Sequence, residues 1–379
     1  MKRILYLAPT DIAERSGVAI ACYAYYNALK ALYPGIVDLA MPAEYCINEY
    51  KDAIGVPRRG RLRAILSFSI HRYKSFMRSF LRRNHNEYSL CIINGSVHAG
   101  DMMSLFRRYH LKTVVIHHNY EKEYYMDNRS IGTFNGRYGG IITHNEKNAY
   151  RKADLNLYLT IPDLNLIRNA YGRSKGRDFV IGVFDPERIE YCTAKGKDLS
   201  VVAITGGLRA YQAYKSIAIF EKEYYPLMRE RFPELKIIMA GRAPNRLVYE
   251  FCAKYPESIE LIPSPPEMDP IIDRAAIFLC PTCLGGGLKL HVMDGLRMGL
   301  PVLTHKVSAR GYEAFHGKPY FQVYESPEEF IEGLGIITGY ISNNNAFKQE
   351  ILDTYRSTFG FEAGVERMKA AMSVLPVED

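Results

Sequence analysis

The chain has 379 residues, 47% of them apolar and 24% charged, with no low-complexity tract. That is enough for two domains with cores of their own, and it excludes disordered, fibrous and disulfide-stapled classes. Net charge is +8, and the seven cysteines lack any repeated spacing, which fits reduced buried thiols better than a secreted framework. No stretch approaches the length of about 18 apolar residues that a membrane span needs, and the apolar run after Met1-Lys2-Arg3 is too short for a signal peptide, so the expected location is cytoplasmic.

Short β-branched runs alternate with amphipathic stretches, the pattern of parallel strands joined by crossover helices. In the first half, strands are predicted at Arg3–Leu7, Val37–Leu39, Leu90–Asn94, Thr113–His117, Leu155–Leu159 and Phe179–Ile181. Helices are predicted at Val18–Tyr33 and at Asp163–Tyr171, with Asp163 as its N-cap. Periodicity lapses between 182 and 200, where a linker is expected. A second series follows, with strands at Leu199–Thr205, Lys236–Ala240, Ile259–Ile262, Ala276–Cys280, Pro301–Thr304 and Tyr320–Val323 and a last helix at Phe361–Leu375. The expected fold is α/β with two doubly wound Rossmann-like domains facing a central cleft: residues 1–182 on the acceptor side, 183–360 on the donor side, and a helix, 361–379, able to pack on either domain, back on the first among them. Ligands of such sheets bind beyond the carboxyl ends of the strands.

Charge is uneven along the chain. Residues 1–190 hold 28 Lys and Arg against 18 Asp and Glu, whereas residues 191–379 hold 21 against 23. Most of the excess lies between Val56 and Asn86, which carry nine basic residues and no acidic one. At 100° per residue, Leu62, Ile65, Leu66, Ile70, Tyr73, Phe76, Met77, Phe80 and Leu81 share one arc, with Arg61, His71, Arg72, Lys74, Arg78 and Arg82 largely opposite. This basic amphipathic helix has two compatible readings: an apolar face packed on its own domain, and a charged face attracted to an anionic membrane. No recognition motif accompanies the charge, so nucleic acid is not an expected partner.

The most informative segment is Cys280-Pro-Thr-Cys-Leu-Gly285-Gly286-Gly287-Leu-Lys289, continuing through Asp294 to Gly299-Leu-Pro301. Glycines between a strand and a helix let backbone N–H groups approach an anion closely, and Lys289 adds a full positive charge. Asp294 suits vicinal hydroxyls, as an acidic residue does on a ribose. A nucleoside diphosphate fits this combination. The Cys280–Cys283 spacing has no second pair for zinc and is read as accidental. His117, His118, Glu121 and Glu123 are not read as a metal site, because adjacent residues on a strand point to opposite faces.

In this order the segment resembles the GT-B nucleotide-sugar glycosyltransferases, specifically the retaining GT4-like group. Gly206-Gly207-Leu208 and Ile237-Ile-Met-Ala-Gly241-Arg242 are similar to the other donor-domain turns, and Ser308-Ala-Arg-Gly311-Tyr-Glu313 to the strand that follows the glycine loop. The resemblance implies diphosphate contacts from Gly17, Arg209, Lys215, Gly285, Gly286, Gly287 and Lys289. It also implies a ribose contact from Asp294, a base near Gly241, Arg242 and Ile262, and a transfer role for His118. The family usually places two glutamates eight positions apart; here they are Gly286 and Asp294, so one carboxylate is missing and the other is a methylene shorter. A nucleotide sugar, with UDP favoured over GDP, would pass its sugar to a hydroxyl of a glycan or lipid-linked glycan. The product would be α-linked, no metal or other cofactor would be obligatory, and the setting would be surface polysaccharide synthesis at the inner membrane face. The rival readings are a nucleotide-sugar epimerase of related fold and a binding subunit without catalysis.

Overall fold

The computed structural model describes residues 2–9, 12, 17–46, 50–57, 73–123, 135–191 and 199–375. It divides into two compact units, Met1–Arg188 with Phe359–Asp379, and Ile189–Thr358.

The first unit holds a parallel sheet of seven strands: β1 (Arg3–Leu7), β2 (Val37–Pro42), β3 (Ile54–Val56), β4 (Tyr88–Asn94), β5 (Lys112–His117), β6 (Leu155–Tyr158) and β7 (Arg177–Val180). Their order across the sheet is β3-β2-β1-β4-β5-β6-β7. Because both faces are covered by helices, the inner strands read as continuous apolar runs instead of alternating ones. Leu5, Leu7, Cys91, Ile93 and Val115 on one face pack with Tyr73, Met77 and Leu81 of the helix Tyr73–Asn84. The apolar face of the described part of the basic helix is therefore consumed by its own core. Tyr73 also donates its hydroxyl to the carbonyl of Ala8, while Arg78 and Arg82 remain exposed and Lys74 half-buried. Arg72, and the apolar positions Leu62 to Ile70, lie outside the described residues.

Two local expectations are corrected. The helix Ile161–Tyr171 is capped by Thr160, whose hydroxyl accepts the backbone N–H of Asp163, so Asp163 stands inside the first turn. Pro162 is compatible with that start because the first helical N–H groups have no intrahelical acceptor. Strand β3 is an addition; three residues are too few to show a period.

The C-terminal helix Phe361–Met372 belongs to the first unit and packs on the helix Gly17–Leu32. Gly364 lets it lie against Phe184, since a Cβ there would come within 2.1 Å of that ring, which in turn packs edge-on against Tyr25 of the helix Gly17–Leu32. Arg367 donates to the carbonyls of Ile181 at 2.8 Å and Val183 at 3.3 Å.

The second unit has six parallel strands: β8 (Val201–Gly206), β9 (Lys236–Gly241), β10 (Ile259–Pro263), β11 (Ile277–Cys280), β12 (Val302–His305) and β13 (Phe321–Tyr324). The order is β10-β9-β8-β11-β12-β13. From β8 the chain winds outward to β10, then returns to the other side of β8 and winds outward to β13, which is the doubly wound order. No helix among the described residues is long and apolar enough to cross a membrane.

Candidate functional site

In a doubly wound sheet, loops leaving the two strands on either side of the reversal diverge above and below the sheet and leave a crevice at the carboxyl ends. In the second unit those strands are β8 and β11, which pair directly. The sequence motifs occupy the loops concerned: Gly206-Gly207-Leu208-Arg209 after β8, and Pro281 to Leu290 after β11.

The second loop is held from several sides. Gly285 and Gly287 have φ of +85° and +71°, conformations costly to a residue bearing a Cβ. A Cβ on Gly285 would also come within 2.5 Å of the Gln212 amide. Ser216, one turn further along the helix Tyr211–Ile219, accepts the N–H of Cys283 at 3.0 Å. On the other side, Ser308 donates to Thr282 O at 2.6 Å, and the buried Tyr312 hydroxyl donates to Lys289 O at 2.8 Å. Lys289 folds back so that its ammonium donates to Gly286 O at 2.7 Å.

Arg209 and Lys215 are both exposed, and among the described residues neither makes an ion pair. Gly241 ends β9 so close to β8 that a Cβ would come within 2.0 Å of Gly206 O, which gives that glycine a packing reason of its own. Arg242 next to it is exposed, and Ile262 on β10 packs against the small cluster of Ile238, Ala240 and Ile271. Asp294 follows one turn into the helix His291–Arg297. Burial raises its carboxyl above the ordinary value, against the pull of Arg297, whose Nε stands 3.4 Å away. Arg297 is shared, since it also pairs with Asp269.

Three features of this region were not singled out by the sequence. Cys280 Sγ lies 2.9 Å from His291 Nε2. Thr205, at the end of β8, buries its hydroxyl without a partner, and Arg310 buries one guanidinium nitrogen, Nη1, likewise. The glycine run marks the loop, but nothing in the spacing marks groups that meet from separate elements.

In the first unit the equivalent reversal lies between β1 and β4. Gly17 opens the helix that follows β1 and is exposed; its neighbour Ser16 is outside the described residues. His117 ends β5 and is fully buried, with Nε2 2.9 Å from Asn156 Oδ1 and its ring stacked on Tyr158. His118 is 7% exposed and its Nε2 has no hydrogen-bond partner. Burial lowers both imidazoles to about 4, so both are neutral near pH 7. The same unit holds an acidic group, in which Glu146 accepts from the Glu121 N–H at 2.8 Å and the Tyr171 hydroxyl at 2.6 Å. Burial and mutual repulsion push Glu121 up to about 8, and burial pushes Glu146 up to about 7. Among the described residues no group of three or more His, Cys, Asp and Glu side chains is placed to hold a metal ion.

Residues 200–337 match the family model described as Glycosyl transferases group 1. This interval contains both loops of the crevice. Over 123 residues the chain is 26% identical to an uncharacterised 44.6 kDa protein in the cps region of Klebsiella pneumoniae, an alignment that spans 31% of this chain and 32% of that relative. Among solved structures it is similar to Anabaena Alr3699/HepE in complex with UDP, with a TM-score of 0.70, 10% identity and coverage of 98% of this chain and 100% of that one. It is also similar to the sucrose-phosphate synthase of Thermosynechococcus elongatus, with a TM-score of 0.73, 12% identity and 99% of each chain covered. A third is the lipopolysaccharide outer core galactosyltransferase WaaB, with a TM-score of 0.68, 11% identity and 98% and 99% covered. The fold is the α/β fold of GT-B glycosyltransferase structures, built from two Rossmann-like domains.

Proposed function

We propose that the protein is a nucleotide-sugar glycosyltransferase whose donor diphosphate lies over the carboxyl ends of β8 and β11. The observation that carries this reading is the Gly285–Lys289 loop: a glycine backbone held in positive φ, with a lysine folded over it, at the reversal of a doubly wound sheet and inside the interval that matches group 1 glycosyl transferases. Backbone N–H groups and the Lys289 ammonium fixed before the donor arrives stabilise charge on the leaving diphosphate at little reorganisation cost. Arg209 and Lys215 supply further positive charge, and Asp294 takes the ribose hydroxyls. The base lies towards Gly241, Arg242 and Ile262 at the ends of β9 and β10. UDP is the favoured nucleotide, in keeping with the UDP named in the HepE complexes.

During transfer the C1–oxygen bond to the diphosphate breaks, the acceptor oxygen bonds to C1, and the hydroxyl proton leaves with the diphosphate. Retention follows the GT4-like resemblance. His118, neutral and with an unused ring nitrogen, is assigned to orienting a hydroxyl in transfer. The acceptor is a glycan or lipid-linked glycan of a surface polysaccharide, a setting supported by the cps-region relative. Lys74, Arg78 and Arg82 form the charged face that would meet anionic lipid; vesicle binding that fails to weaken with salt would remove that role.

The test is a transfer assay with a panel of nucleotide sugars and polysaccharide-derived acceptors. Release of free nucleotide that requires the acceptor supports the reading. Sugar interconversion without acceptor would make the protein an epimerase, and binding without turnover would leave it a binding subunit, as the missing carboxylate at Gly286 allows.

A further inference from the structure

At the reversal of the second sheet, one side chain from the β11 side is fixed against the end of β8. Cys280, fully buried as the last residue of β11, sets its Sγ 2.9 Å from Nε2 of His291. The opposite edge of that ring faces the neighbouring strand: a Cβ on Gly206 would stand 3.9 Å from both Cγ and Nδ1 of His291. One residue back on β8 is Thr205, 5% exposed, with a hydroxyl that has no partner. A buried hydroxyl left unpaired is costly unless something arrives to satisfy it. Next to it on the chain, a Cβ on Gly207 would meet nothing within 4 Å, so the end of β8 is open there.

Which nitrogen of a histidine carries the proton is decided by the bond the other nitrogen makes. Engaging Nε2 with a thiol leaves Nδ1 to serve the β8 side. We propose that His291 is a donor-binding residue, giving a hydrogen bond from Nδ1 to the diphosphate, and that Cys280 is the positioning residue that sets the ring and its charge. This rests on the reading of the crevice as a nucleotide-sugar site.

The electrostatics agree with the geometry. Burial opposes charge on both groups, yet the facing imidazole outweighs it for Cys280 and brings the thiol to about 7, while the thiol raises His291 in turn. Asp294 on the same helix favours the imidazolium and Lys289 opposes it. An imidazolium donates from both nitrogens, to the thiolate on one side and to phosphate oxygens on the other, and charge-assisted bonds are the stronger kind.

The experiment is calorimetric titration with UDP, and ligand-observed NMR with uridine, on the full-length wild type, His291→Gln and Cys280→Ser near pH 6 and pH 8, with melting curves for each variant. The expected result is that His291→Gln loses roughly tenfold or more in UDP affinity, the size of a hydrogen bond to a charged group, while uridine binds as before. Cys280→Ser removes the group that raises His291, so its UDP affinity falls further below wild type near pH 8 than near pH 6. Equal losses for UDP and uridine would assign His291 to packing alone and overturn the inference, as would unchanged UDP affinity in His291→Gln. If the wild type itself binds no UDP, the donor-site reading falls and takes this inference with it.

Discussion

Lys289 donates its ammonium to the carbonyl oxygen of Gly286 at 2.7 Å, so the charge that would meet a diphosphate is anchored to the middle glycine of its own loop. The anchoring limits the rotamer entropy lost when an anion binds. Removing the side chain should both loosen the loop and delete a charge-assisted contact. Lys289→Ala is expected to weaken UDP binding by roughly 1 to 3 kcal/mol. Calorimetry showing wild-type affinity in the variant would place the diphosphate elsewhere.

Asp294 is held partly out of water beside Arg297, so its carboxylate is oriented before any sugar hydroxyl arrives. Wild type should bind 2′,3′-dideoxy-UDP more weakly than UDP, by an amount that Asp294→Ala abolishes, because removing either partner of one contact makes removal of the other neutral. A variant that still discriminates the two nucleotides would show that Asp294 does not touch the ribose.

The buried acids and imidazoles of the first unit titrate in opposite senses. Glu121 and Glu146, raised from 4.5 to about 8 and about 7, stabilise the fold fully below the lower value, and lose that contribution as pH rises through the higher ones. His117 and His118, lowered from 6.5 to about 4, contribute fully above 6.5 and lose it as pH falls towards 4. The two effects oppose each other from 4.5 to 6.5, and above 6.5 the glutamates act alone. The melting temperature of wild type should therefore drop between pH 6.5 and 8, and Glu121→Gln should flatten that drop. A wild type that melts no lower at the higher pH would contradict the assignment.

His118 has an unpartnered Nε2 and little exposure, an arrangement with a cost to folding. If it orients a hydroxyl in transfer, His118→Ala should lower turnover far more than donor affinity, since an interaction made chiefly in the transition state appears in the rate. Steady-state kinetics beside UDP calorimetry separates the two. Full turnover in the variant would remove His118 from the reaction.

Every strand expected from the alternation of β-branched runs is present, because buried parallel strands are written as short apolar blocks between helices and little else in a sequence looks like that. The three-residue β3 is too short to be legible, and Asp163 looks like a cap in the sequence because Thr160, the actual cap, stands ahead of Ile161 and Pro162. In the site, glycines at positive φ leave a visible trace, and so does a lysine two residues on. The meeting of Cys280 with His291 leaves none: the two are eleven apart on different elements, and only the folded loop turns that separation into a 2.9 Å contact. The unpaired groups of Thr205 and Arg310 were hidden for the same reason, since pairing is a property of the folded chain.

Binding of UDP to wild type and to Gly285→Ala tests the donor-site claim most directly. Gly285 has φ of +85°, and a methyl group there would also press on the movable amide of Gln212, so alanine should force the loop out of its present shape, at a cost of about 1 to 2 kcal/mol for the backbone alone. Saturable one-site binding to wild type is expected by calorimetry, with a loss of at least about tenfold in the variant and only a modest lowering of its melting temperature. No binding to wild type, or equal binding to both proteins, would contradict it.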